Sequence, residues 1–240
     1  LQFPLFAQEK RVAAAGTAGV TVPFVGCKSD GQAGPREAPE GEPVSVPISR
    51  EAAEGLAYYS SDAASGVLAP RLWSCLGVYG SGGDALLVSP DPIGAKNLFS
   101  KNWHGFSGPA VVLSHRLGDS MGRFDVAEVI ARVFPAYMPF VAQVAELFSQ
   151  PAATFPLGPY PGDVVTYQSS RMVEFKTRAN REGLGTRSWL TKSAHPIDGV
   201  AMLVGETPDL LILSVRLPTG SAKLVPVIVK RFEEETRTAP

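Results

Sequence analysis

The sequence predicts an α+β fold: one loop-rich domain in which an antiparallel sheet packs against several helices. Three observations carry this. Short runs rich in β-branched and aromatic residues crowd the stretch 163–217, whereas apolar residues at helical spacing fill 125–149 and 224–232. Hydrophobic residues make up 45% of the 240 and charged residues only 19%, ample material for a packed core. The 24 glycines and 21 prolines punctuate the chain often enough that its elements should be short. The expected organisation is a flexible segment over 1–19 and a single α+β domain over 20–240.

The opening "LQFPLFAQEK" passes from apolar residues through a small residue to charge. That is the pattern at the end of a secretory signal peptide, with Ala7 before the cleavage point, and it predicts a periplasmic or secreted protein. The two cysteines, Cys27 and Cys75, lie in glycine-rich surroundings that can reach disulfide geometry, and a bridge between them fits export. Val20 to Gly26 reads as a strand that Pro23 confines to an edge or bulge. Residues 28–43 are loop, and "VSVPIS" is a short extended piece.

Ser49 is a good N-cap, and the helix expected after it runs through Tyr59, with Ala52, Ala53, Leu56, Ala57 and Tyr59 on its buried stripe. "LWSCLGVYG" and "ALLVSP" flank the turn residues "SGGD" as a hairpin. "SGPAVVLSH" is the next strand. Asp125 and Glu128 have capping-box spacing and predict a helix start at Asp125. Pro135 ends that helix and Pro139 suits the first turn of another. After a proline-rich connection over 151–161, five strand-like runs form the expected meander, and Leu224, Val227, Ile228 and Phe232 mark a closing helix.

A net charge of −1 gives no global reason to expect a nucleic-acid partner, and no apolar run approaches the length of a membrane span. His104, His115 and His195 stand apart from one another, so no metal is expected. "GSGGD" at 80–84 leads into a strand and lacks the lysine of a phosphate-binding loop, and no other cofactor motif is present.

Two stretches carry chemistry. "LGDSMGRFDV" spells Gly-x-Ser-x-Gly around Ser120, and a local triad would use Ser120 as nucleophile, His195 as base and Asp198 to orient it. A nucleophile elbow, however, starts its helix at the serine, whereas the cap expected here is Asp125. The chain order of motifs matches no serine-hydrolase family. The second stretch, 171–192, sets Arg171, Lys176, Arg178, Arg181, Arg187 and Lys192 against only Glu174 and Glu182. Folded as a hairpin, Arg178, Arg181, Arg187 and Trp189 would form an anion-binding surface. The sequence thus predicts an exported protein that binds a small molecule or another protein. A serine hydrolase and an anion-binding module are the alternatives.

Overall fold

A computed structural model describes residues 19–149, 154–187 and 189–238. The expected leader remnant and nearly all of the flexible segment lie outside the described residues. The architecture corrects the α+β expectation. The protein is mostly β, 35% strand against 27% helix, and is built on one eight-stranded mixed sheet with two smaller sheets and few helices. The reason lies in the first half of the chain. Most of its glycine- and proline-broken runs make short strands rather than helices, and four of them extend the large sheet well beyond 163–217 while the others build the two small sheets.

Short strands come first: β1 (Val20–Val22), β2 (Phe24–Gly26), β3 (Ser29–Gly31) and β4 (Val44–Val46). After α1 (Arg50–Gly55) follow β5 (Leu56–Ser60), β6 (Val67–Pro70), β7 (Ser74–Gly80) and β8 (Gly83–Ser89). Then come α2 (Ala95–Leu98), β9 (Ala110–Arg116), α3 (Arg123–Val133) and α4 (Met138–Leu147). The chain closes with β10 (Asp163–Ser169), β11 (Met172–Thr177), β12 (Ile197–Val204), β13 (Asp209–Arg216) and α5 (Val225–Thr238). The large sheet has the order β10-β11-β12-β13-β9-β8-β7-β3, antiparallel except where β3 runs parallel to β7. β1 pairs with β4, and β2, β5 and β6 form a third sheet.

The period of two along each strand splits the core in two. Leu87, Val112, Ile212, Ala201 and Phe175 face α3 and α4. Their neighbours Leu86, Val111, Leu113, Leu213 and Val200 face α5 and the small sheets. Both faces of β8 and β9 are therefore buried, which is why these strands read as continuous apolar runs. Ile130 of α3 is fully buried against the first face; truncating such a side chain to alanine costs about 2–5 kcal/mol. Cys27 and Cys75 form the expected disulfide, with a Cα–Cα distance of 5.4 Å. It joins the turn between β2 and β3 to β7, fastening the three-stranded sheet to the margin of the large one. No described helix is long and apolar enough to cross a membrane.

Several local expectations change. Pro23 divides the first strand, sending β1 and β2 to different sheets. Ser49 does cap α1, its hydroxyl accepting from the Ala52 N–H at 3.2 Å, but the helix ends at Gly55. Leu56, Ala57 and Tyr59 continue as β5 because parallel pairing with β2 and antiparallel pairing with β6 satisfy their backbone. α3 begins at Arg123, two residues before Asp125, whose carboxylate pairs with Arg116 at 3.3 Å rather than capping. The basic stretch is not a hairpin. β11 pairs with β10 and β12, and 178–196 is a connection pinned by buried Leu184 and Leu190.

Candidate functional site

Ser120 lies in the turn between β9 and α3. Its hydroxyl donates to the Leu117 carbonyl at 3.2 Å and accepts from the Gly122 N–H at 3.3 Å, so both roles are taken within the turn. The glycines of the motif have packing reasons. A Cβ at Gly118 would stand 2.2 Å from the Pro208 carbonyl oxygen, and one at Gly122 would stand 2.2 Å from that of Gly82. Backbone passes too close at both positions for any side chain.

The structure does not bring Ser120 to His195. Asp198 pairs with Val215, which pairs with Val111 on β9; Ser120 lies beyond Arg116, at the other end of that strand. From Val111 to Arg116 the strand advances roughly 17 Å. At its own end, Asp198 accepts from the Lys176 ammonium at 2.8 Å and 3.1 Å, and the exposed His195 donates its backbone N–H to the Ser193 hydroxyl. The histidine nearest Ser120 in sequence, His115, is held by two other acids. Its Nδ1 lies 3.2 Å from Asp84 and its Nε2 3.6 Å from Asp209. The Asp84 hydrogen bond and both negative charges, opposed by burial, hold its pKa above the ordinary value.

The basic segment divides. Arg178 and Arg181 are exposed and line no part of the cleft formed beside them. Arg187 and Trp189 do line it. The cleft, about 450 Å³, is also walled by His104, Tyr160, Glu182, Thr186, Thr191 and Lys192. Arg187 is anchored on α3 by Glu128 and, at 3.8 Å, by Asp125. The Tyr160 hydroxyl donates to the same Glu128 at 3.1 Å, and the Arg132 guanidinium stacks on the Tyr160 ring at 4.0 Å. Burial, then the charge of Glu128, pushes the Tyr160 pKa up, so the phenol stays protonated as a donor at neutral pH. Lys192 and Glu182 pair with each other at 3.0 Å, both largely exposed.

Trp189 is the most constrained residue of the cleft. It holds φ at +67°, the left-handed region, where a bulky side chain is strained by about 1–3 kcal/mol. Its carbonyl accepts from the Phe106 N–H at 2.7 Å, and the Thr191 N–H returns to the Phe106 carbonyl at 2.9 Å. Its ring packs 5.5 Å from Trp103, which meets Phe106 edge-on at 5.3 Å. The indole N–H is shielded from solvent and has no acceptor among the described residues. Behind this wall lies Arg216, 1% exposed, bonded to the carbonyls of Phe106, Gly108 and Thr191. No carboxylate pairs with it among the described residues, and burial lowers its pKa to about 10, still charged at neutral pH.

Sequence reasoning named Arg187 and Trp189 and placed Lys192 in the same basic stretch, but missed Arg216, Tyr160 and His104 as their companions. Arg216 follows a run of apolar residues in β13 and looks like the charged end of a strand; only the fold closes the loops over it. Comparison with protein-family models, curated proteins and solved structures finds no match to this chain.

Proposed function

We propose that this is an exported binding protein whose ligand, a small molecule carrying an anionic group, sits in the cleft beside Trp189. The observation that carries the reading is the shielded indole N–H without an acceptor, in a strained residue on the wall of a cleft that also holds Arg187 and Lys192. A buried donor left unpaired costs about 1–3 kcal/mol, and a ligand that turns the Trp189 ring until its N–H meets a carboxylate or phosphate oxygen relieves that cost while engaging the cations. Arg216 adds a buried positive charge behind the wall, balanced only by carbonyl dipoles. The disulfide supports the exported setting, since such bridges persist in oxidising compartments.

Nothing comparable supports the serine reading, whose hydroxyl and histidine face different ends of the sheet. The test is a tryptophan-fluorescence and thermal-shift screen of aryl carboxylates and phosphate monoesters. Binders should raise the melting temperature of the wild type and lose most of their affinity with Trp189→Ala and with Lys192→Glu. Binding that survives both substitutions, or no binder in either class, overturns the proposal.

A further inference from the structure

The large sheet has two edges, and they differ. β3 has three residues, and its outer side is already taken: Ser29 and Arg36 exchange backbone hydrogen bonds at 3.1 Å and 2.7 Å. β10 presents seven residues, and among the described residues no strand pairs with its outer side. Edge strands are normally blunted by lysine, proline or an inward charge, because an open row of N–H and C=O groups recruits another strand. From Val164 to Ser169 β10 has none of these. Val164 and Tyr167 are instead 50% and 53% exposed. The one irregularity, a register shift between Tyr167 and Ser169, falls past the middle of the strand.

We infer that β10 joins two copies of this chain, antiparallel, about a two-fold axis at Thr166, so that the two eight-stranded sheets continue into one. In that register Thr166 meets Thr166 of the partner subunit, and Val165 meets Tyr167 of the partner subunit on each side of the axis. Threonine pairs and β-branched–aromatic pairs are among the favourable cross-strand combinations. Val165 and Tyr167 stand opposite Phe175 and Val173 of β11, on the face that carries α3 and α4, so each new pair extends an apolar row already in place. No like charges are opposed. Asp163 comes opposite Ser169 of the partner subunit, and its carboxylate is already committed to Thr177 at 2.6 Å and the Leu184 N–H at 2.8 Å. This self-complementarity selects a second copy over a foreign strand. Because the β3 edge is closed, association stops at two rather than running head to tail.

Sedimentation velocity of the full chain at low to high micromolar concentration should give a species of twice the 25.4 kDa chain mass. Thr166→Lys and Thr166→Glu each set like charges face to face on the axis and should each sediment as monomers, while their equimolar mixture regains the dimer. Thr166 is exposed, so both variants should keep the wild-type circular dichroism spectrum; Tyr167→Lys provides a second disruption should either misfold. A wild type that stays monomeric throughout, single variants as dimeric as the wild type, or a folded mixture that remains monomeric would each overturn the inference.

Discussion

Arg216 donates through Nη1 to the Phe106 carbonyl at 3.0 Å, from inside the protein toward the connection between α2 and β9. The same guanidinium reaches Gly108 at 3.2 Å and Thr191, so one buried charge ties two connections, 103–109 and 187–192, into a single wall. Arg216→Met should release both. The Phe106 carbonyl keeps its bonds from Thr191, but those of Gly108 and Thr191 lose their donor, at about 1–3 kcal/mol for each one left unpaired. Urea unfolding should show a drop of that order. Trp189 emission should also shift to the red as its seat loosens. An unchanged midpoint and spectrum would show that the wall stands without the arginine.

The disulfide closes a loop of sequence separation 48. By loop entropy alone such a bridge stabilises the fold by about 4 kcal/mol. Cys27→Ser with Cys75→Ser should therefore lower the unfolding free energy by up to that amount. The loss should centre on the junction between β2, β3 and β7, because the bridge is what fastens the small sheet there. Hydrogen exchange should rise first in β2, β5 and β6, with β9 and β13 protected until global unfolding. Uniform loss of protection would contradict this picture of a stapled margin.

His115, between Asp84 and Asp209, has a native pKa above its unfolded value of about 6.5. A raised pKa means that the folded state holds the proton more tightly. Its contribution to stability is thus complete below the unfolded pKa and disappears as pH rises through the native one. Between about pH 6 and pH 8 the wild type should lose more stability than His115→Gln does. NMR titration of the His115 ring should give a pKa above the free-histidine value that falls in Asp84→Asn, the variant that removes the largest cause. An unshifted native pKa would rule out the carboxylates as its partners.

How much of this was legible beforehand depends on whether the signal was local. Ser49, Pro135 and Pro139 act within one turn, and all three mark helix boundaries as read from sequence. The disulfide was legible because only two cysteines exist. Leu56, Ala57 and Tyr59 misled because alanine and leucine at helical spacing also suit a strand buried on both faces, and partner strands decided between the two. The fold class failed for the same reason, repeated: β7 and β8 pair as the hairpin their turn residues announce, but β3 and β9 tie that hairpin to the meander through pairings across many residues that no local pattern announces. The cleft was half legible. Charge density drew attention to Arg187 and Trp189, but the Glu128 that anchors Arg187 and the buried Arg216 arrive from α3 and β13, 59 and 29 residues from Arg187.

The Gly-x-Ser-x-Gly stretch separates a structural role from a catalytic one by which substitution does harm. Gly122 is pressed between the Gly82 carbonyl oxygen, 2.2 Å from where its Cβ would be, and the Leu117 backbone nitrogen at 2.8 Å. Gly118 meets Pro208 in the same way and donates its N–H to Asp209 at 2.7 Å. Neither neighbour is the movable tip of a side chain, so Gly118→Ala and Gly122→Ala should each cost about 1–3 kcal/mol through forced backbone shifts. Ser120→Ala removes one weak hydroxyl bridge across the turn and should cost under about 1 kcal/mol. A nucleophile would reverse the emphasis: Ser120→Ala would abolish covalent labelling by a fluorophosphonate while the glycine variants retained some. With no side-chain base bonded to the Ser120 hydroxyl among the described residues, and that hydroxyl held on both sides by the turn's backbone, the wild type should take up no more label than Ser120→Ala. Labelling of the wild type that vanishes in Ser120→Ala would show that the turn opens to a base the folded arrangement does not present.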